Sequence, residues 1–417
     1  MVLGLAATAF AIHAEIPSET QAVVSASNIQ ITLAGEIRTR GWYFDNFNHA
    51  LGQDANSRAW WDERVRLSVD AVVAPGVEGY VQLETHSGMA GDKYVWGTGN
   101  VGGGVAGTNR KPDSDIDILQ AWIVYSGQGL LGFNSGLKIG HMPLKLGYGQ
   151  FFDNTQYGDD ALVLFMTPVK GLEMAALTFK GNECLTWGDC RFDNTNDLDA
   201  YVGLMTYKWD DRNTVGINYT YLNQSDLEMK MQDLGLHADG GFGAFGYKVA
   251  ADIQFGSIQP AHNQYDFGGW ALSGYANYDF NSMNVPLNLR GSIVYGSGEG
   301  DASDDNLDEF VPFVGNIQNY SFIYEYNHAT TAFNKSGLNP AAPSDGHAAG
   351  VANTTYVNLG LDWNATKDMT LSGDVYGFWA SDTGAWEDYL GDHDVSSNAG
   401  WEIDAKFKYK LAKNLIY

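Results

Sequence analysis

The sequence predicts an all-β fold, a transmembrane antiparallel β-barrel of about sixteen to eighteen strands with short periplasmic turns and long extracellular loops. Three observations carry that expectation. Side chains alternate between apolar and polar with period two over many segments. Short and long connections alternate along the chain. Finally, no internal stretch offers the roughly eighteen consecutive apolar residues that a helical span needs, and the mean hydropathy is −0.24. In lipid every backbone group must be paired, so a chain that crosses without apolar helices crosses as a closed barrel.

Composition agrees with this class. The 417 residues include 50 glycines, 13% are aromatic and only 18% are charged, as expected of many strands and turns with both membrane-facing and watery surfaces. The formal net charge of −26 excludes nucleic acid as a partner, because phosphate binding needs a basic surface.

The N-terminus reads as a secretory signal over residues 1–14. It has an apolar run from Met1 to Ile12, an A-x-A site at Ala9-Phe10-Ala11 and a second option at Ile12-His13-Ala14, so cleavage falls after Ala11 or Ala14. The first basic side chain is Arg38; a signal normally begins with basic residues, so this end reads as clipped or as a misplaced start. Residues 15–417 form a single barrel domain.

Alternation is clearest from Ile29 to Tyr43, where Ile29, Ile31, Leu33, Ile37 and Tyr43 share one parity and Gln30, Thr32, Glu36, Arg38 and Arg40 the other. Successive strand side chains point to opposite faces, so the first set suits lipid and the second water. The pattern recurs with Val65 and Leu67, with Val249 and Ile253, with Val357 and Leu361, and with Trp401, Ile403 and Phe407. Short connections include Ala74-Pro75-Gly76, Asp210 to Asn213, Asn281 to Val285, Ala365 to Asp368, and Leu411-Ala412-Lys413. Long ones include Ser87 to Ser114, Gly181 to Asp197, Gly296 to Thr354 and Ser381 to Ala399. A soluble sandwich also alternates, but strict long/short alternation marks a membrane barrel.

Counting from Ile29 gives about sixteen strands ending near Lys410 and a seventeenth beginning at Asn414. Single-chain barrels have even strand numbers, so the chain reads as cut within a barrel of about eighteen, the alternative being sixteen strands and a tail. Trp363 to Leu371 and Tyr409 to Tyr417 look like the same strand-turn-strand junction. Aromatics gather where wall meets loop, at Trp42-Tyr43-Phe44, Trp60-Trp61, Phe378-Trp379 and Trp401, as interfacial girdles require.

Chemical motifs are absent or weak. Gly97 to Gly102 matches G-x-G-x-x-G without a strand-helix unit or ribose-binding acid, so it reads as a glycine loop. No G-x-S-x-G occurs, and the nine histidines lack metal-binding spacing. No enzyme and no cofactor are expected. Cys184 and Cys190 are too few for a structural zinc site and lie outside any C-x-x-C-H haem motif. In an exported chain their separation suits a disulfide closing a small loop.

The candidate pore lining is the inward parity: Glu36, Arg38, Arg40, Arg64, Arg66, Asp70, Lys138, Lys248, Arg290, Lys406 and Lys408. Guanidinium groups in a lumen hand anions along a pore; the competing reading is mutual salt bridging that stiffens the wall. Acids concentrate in loops instead. Asp301, Asp304, Asp305, Asp308 and Glu309 are a weak calcium-loop candidate against the plainer reading of a solvated acidic loop. No other metal site is expected.

Two stretches carry a family likeness, Leu137-Lys138-Ile139-Gly140-His141-Met142-Pro143-Leu144-Lys145-Leu146-Gly147-Tyr148-Gly149-Gln150-Phe151-Phe152 and the acidic run Tyr295 to Phe310. Through them the chain resembles the bacterial outer-membrane porins, more narrowly the alginate-export-like barrels, and is also similar to general porins of metal-reducing bacteria. The resemblance implies an eighteen-stranded channel for a polyanion or for small solutes. The expected function is passive diffusion of small hydrophilic, anionic solutes through the outer membrane. The alternatives are export of an alginate-like polysaccharide, or a scaffold barrel around an electron conduit whose cytochrome partner carries the haems. The expected surroundings are lipid and lipopolysaccharide, with a homo-oligomer also compatible.

Overall fold

The computed structural model describes residues 22–26, 29–44, 58–86, 94–95, 115–155, 157–182, 197–225, 228–259, 264–301, 304–313, 321, 350–390 and 394–416. The strands are β1 (Ala22–Ala26), β2 (Ile29–Phe44), β3 (Arg58–Ala74), β4 (Val77–His86), β5 (Tyr94–Val95), β6 (Asp115–Gly127), β7 (Ser135–Met142), β8 (Asp159–Val169), β9 (Leu172–Asn182), β10 (Leu198–Lys208) and β11 (Thr214–Gln224). They continue as β12 (Met229–Phe242), β13 (Phe245–Ile258), β14 (Tyr265–Phe267), β15 (Trp270–Asp279), β16 (Leu287–Gly296), β17 (Asn306–Leu307), β18 (Thr354–Thr366), β19 (Met369–Ala380), β20 (Asn398–Ala412) and β21 (Leu415–Ile416). Among the described residues, a short α-helix, α1 (Gly384–Leu390), precedes β20, and a single 3-10 turn, Phe280–Met283, lies between β15 and β16.

All belong to one sheet order in which each wall strand pairs antiparallel with the next. The two- and three-residue strands β5, β14 and β17 belong to loops, leaving eighteen wall strands among the described residues. Relative to the sequence reading, β1 is an additional strand, registered on β2 from Ala22↔Leu33 to Ala26↔Ile29. The expected strand after Asn414 is β21. No pairing among the described residues joins β21 to β1.

The alternation of the sequence becomes the two faces of this wall. On β2, Thr32 and Ala34 are buried while Leu33 and Ile37 are exposed, Ile37 by 74%. The same outward row continues through Leu67, Val81, Ile123, Ile139, Leu162, Met205, Val215, Leu236, Ile253, Leu272, Ile293, Leu359, Val375 and Ile403. Such a continuous apolar belt greatly exceeds the few hundred Å² that soluble proteins expose, at a cost of about 25 cal/mol per Å² in water. It is a lipid-facing surface. Trp363, Trp401 and Tyr409 lie on that face near strand ends.

Turns at one end are tight. Lys170 and Gly171 join β8 to β9, Gly243 and Ala244 join β12 to β13, and Lys367 and Asp368 join β18 to β19. Between β3 and β4, Gly76 has φ +77°, and a Cβ there would lie 2.0 Å from the Ser126 carbonyl oxygen. Glycine alone supplies both the left-handed backbone and the close approach by which Ser126 N–H donates to Gly76 O. Connections at the other end are long, with one exception: residues 225–228 link β11 to β12.

Candidate pore and its inward-folded segments

The inner wall is of two kinds. Along the middle of β8–β10 the inward positions are apolar: Ala161, Val163, Ala175, Leu177, Phe179, Ala200, Val202 and Leu204 are all buried, and Leu222 extends the patch onto β11, whose inward Asn218 and Thr220 are polar. The middle stretches of β8–β10 are therefore apolar on both faces. An apolar inner face is stable only when something covers it, and the cover is the connection between β7 and β8.

Residues 143–158 turn into the lumen and lay Leu144, Leu146, Phe151 and Phe152 on this wall in one apolar cluster. Phe152 sits 4.9 Å from Phe179, ring centroid to ring centroid. Left-handed glycines at 147, 149 and 158 permit the fold-back. Polar anchors then fix it: Gln150 Nε2 donates to Asp252 at 2.6 Å, Tyr148 Oη to Asp239 at 2.9 Å, and Lys145 Nζ pairs with Asp153 at 2.7 Å. Burial, followed by the Asp239 carboxylate that accepts from it, raises the Tyr148 phenol well above its ordinary range, so it remains a donor.

A second segment meets the first. Beyond β16, residues 297–301 and 304–313 descend along β13 and β15, where Ser297 N–H donates to Trp270 O and Gln254 exchanges two hydrogen bonds with the Val311 backbone, at 2.8 and 2.9 Å. Phe313 N–H donates to Phe151 O at 2.7 Å, and its ring stacks on Phe152 at 5.8 Å. The two segments thus form a single internal shelf on the β8–β13 side.

The opposite side is charged. Register places Glu36 beside Arg66, Arg38 beside Arg64 and Arg40 beside Asp62. Arg40 holds the buried Asp62 through two hydrogen bonds of 3.0 and 3.1 Å, and Trp42 Nε1 donates to the same carboxylate. Arg64 reaches Glu36 at 2.7 Å and Glu84 at 3.7 Å, and Arg66 also pairs with Glu84. Asp70 stands between Thr32 and Tyr80 in register.

Across the lumen, Arg290 on β16 bridges Asp362 and Asp374, both at 2.9 Å. Beside it an open hollow of about 330 Å³ is lined by Asn277, Asp279, Asn288, Asp362, Asn364 and Thr370.

The structure gathers Glu36, Arg38, Arg40, Arg64 and Arg66 into one strip and leaves the other sequence candidates apart. Lys138 lies over Trp122, 3.7 Å from the ring centroid. Lys248 is 5.7 Å from the Tyr148 ring. Lys406 and Lys408 are exposed on β20, opposite Ser372 and Thr370.

The acidic stretch has no common focus: Asp304 accepts from Asn306 N–H at 2.9 Å, Asp301, Asp305 and Asp308 are exposed, and Glu309 is buried. Among the described residues no group of three or more His, Cys, Asp or Glu gathers as for a metal. Cys184, Cys190 and residues 1–14 lie outside the described residues. Sequence reasoning missed the shelf of residues 143–158 and the carboxylates Asp62 and Asp374, the acids that hold Arg40 and Arg290.

Neither a protein-family model nor a curated protein matches the sequence. Among solved structures, OccK5 (OpdH) of Pseudomonas aeruginosa matches with a TM-score of 0.50 at 14% identity, covering 93% of this chain and 88% of that one. The fold is that of a bacterial outer-membrane porin. OccK11 (OpdR) of the same organism aligns with a TM-score of 0.49 at 13% identity, over 92% of this chain and 86% of that one. Porin barrels sit in the bacterial outer membrane, in keeping with the apolar belt of the wall.

Proposed function

We propose that the chain is an outer-membrane channel for passive diffusion of small hydrophilic solutes, with a preference for anions. One observation carries the reading: the inner shelf seals the apolar β8–β10 wall, so the water-filled route runs along the remaining wall, past the strip of Arg38, Arg40, Arg64 and Arg66. Each guanidinium has five N–H donors, more than a single carboxylate occupies, and the Arg40 side chain keeps 25% of its surface exposed. Narrowing by two inward segments favours small solutes over a polysaccharide chain.

The test is reconstitution of the purified barrel in a planar bilayer. A channel gives discrete conductance steps, and a salt gradient gives a reversal potential of the sign set by anion flow. A folded barrel that shows no steps and no solute uptake in liposome swelling is not a channel.

A further inference from the structure

On the inner face of β11–β13, register builds a small polar grid under the shelf. Thr220, Asp233 and Gln254 form one cross-strand row, and Asn218, Gly235 and Asp252 form the next. Neighbours within a row are about 5 Å apart and those along a strand about 7 Å. Gly235 keeps the grid open, since a Cβ there would lie 2.5 Å from Asp252 Oδ1 and 2.7 Å from Asn218 Oδ1. Gln150 of the shelf closes it from above through its 2.6 Å hydrogen bond to Asp252 Oδ2.

The grid is buried and incompletely satisfied. Asp233 is 0% exposed, Thr220 1%, Gln150 3%, Asn218 3% and Asp252 8%. Among the described residues, no hydrogen-bond partner reaches either carboxylate oxygen of Asp233, the Thr220 hydroxyl or Gln150 Oε1. The nearby Gln254 amide is committed to Val311. Among the described residues, neither Asp233 nor Asp252 forms an ion pair with a Lys or Arg.

Two adjacent carboxylates out of water cost several kcal/mol each unless a positive charge accompanies them. Around them lie mainly oxygens: the two carboxylates, the amide carbonyls of Gln150 and Asn218 and the hydroxyl of Thr220, together with the Asn218 amide nitrogen, unpartnered among the described residues, and the Gln150 Nε2 that donates to Asp252. The atoms able to ligate a cation there, the carboxylate, amide carbonyl and hydroxyl oxygens, are hard donors without sulfur. Calcium accepts six to eight such oxygens in flexible geometry, whereas magnesium demands a tight octahedron and retains water.

We propose that Asp233 and Asp252, completed by Gln150 and Thr220, bind one calcium ion that fastens the inward segment 143–158 to the barrel wall. The site is separate from the exposed acids of residues 301–308. It stands whether or not the chain conducts, because its readout is binding.

The experiment is calcium titration of the full folded chain in detergent, by calorimetry, together with thermal unfolding in calcium and in chelator. Wild type is expected to bind one equivalent that Asp233→Asn/Asp252→Asn lacks and that Asp301→Asn/Asp304→Asn/Asp305→Asn retains. Gln150→Ala is expected to weaken binding by about tenfold or more. Wild type should also unfold at lower temperature in chelator, and proteases should then cut within 143–158.

If the double variant does not fold, judged by heat-modifiable gel migration, the Gln150→Ala variant and the chelator response of wild type still decide. Wild type that binds no calcium overturns the proposal, as does binding that survives in a folded Asp233→Asn/Asp252→Asn chain. So does a chelator-insensitive wild type that the double variant surpasses in thermal stability, which would mean that the carboxylates are held protonated instead.

Discussion

At the scale of single residues, charge burial decides most of what the inner wall tolerates. Asp62 is 1% exposed and accepts from both Arg40 and Trp42, so removing it strands a guanidinium in a partly buried place. Asp62→Ala is expected to destabilise the folded barrel by about 3 to 5 kcal/mol, read as a lower midpoint in urea unfolding from detergent; a midpoint unmoved from wild type would show the pair to be a screened surface contact. Glu299 makes a complementary prediction about pH. Burial is the main cause that raises its carboxyl above the ordinary 4.5, while the backbone N–H groups of Asp301 and Asp308 pull it down. With the folded value above the unfolded one, the folded segment binds the extra proton, so its stability falls as pH rises from 4.5 through the raised value. Hydrogen exchange of Phe310 and Val311, corrected for intrinsic rates, should therefore show greater protection at the acid end of that window, and Glu299→Gln should flatten the trend. Protection that grows with pH would reverse the sign and refute it.

At the scale of elements, the shelf shows what a strand-by-strand reading captures and what it leaves out. Short turns such as Ala74-Pro75-Gly76 were legible because glycine and proline carry their geometry locally. The fold-back of residues 143–158 was not, because its cause is non-local: Phe152 turns inward to cover Phe179, Leu177 and Val202, residues far along the chain. A signal was nonetheless present. Ala161 and Val163, Ala175 and Leu177, and Ala200 and Val202 make the inward parity of β8, β9 and β10 as apolar as the outward one, and a strand apolar on both faces needs a cover on each. The arginine strip was legible from parity alone, but its partners depend on register, which sets Arg40 opposite Asp62, and puts Arg290 diagonally within reach of Asp362, only after the strands pair. The shelf makes its own prediction. Phe152 packs against both Phe179 and Phe313, so Phe152→Ala should remove about 3 to 5 kcal/mol of anchoring and widen the route. The expected reading is larger and noisier single-channel conductance with unchanged heat-modifiable folding. Conductance identical to wild type would place the shelf outside the conducting path.

At the scale of the whole molecule, the net charge of −26 and the proposed anion preference look opposed, and distance reconciles them. A permeating ion responds to charges within about a Debye length, roughly 8 Å at physiological salt, so acids in the outer loops are screened from the barrel interior. Within the barrel, the proposed route runs away from the covered wall of β8–β10 and along β2 and β3, where register sets Arg38 beside Arg64 with Arg40 and Arg66 nearby. Carboxylates at the same depth, Glu36, Asp62 and Glu84, neutralise part of this charge, so selectivity depends on the donors each guanidinium still turns to water. Replacing all four arginines by glutamine removes the cations and leaves the acids, and the local balance changes sign. Reversal potentials in a salt gradient should then move toward cation selectivity, with a larger shift at low ionic strength than at high. Because Asp62 and Glu84 lose their partners in that variant, a second one, Arg38→Gln/Arg64→Gln, keeps Arg40 on Asp62 and Arg66 on Glu84 and should move the potential the same way by a smaller amount. A wild-type channel that already selects cations strongly, or a folded quadruple variant with unaltered selectivity, would show these arginines to be struts of the wall and would assign permeation to the acidic loops.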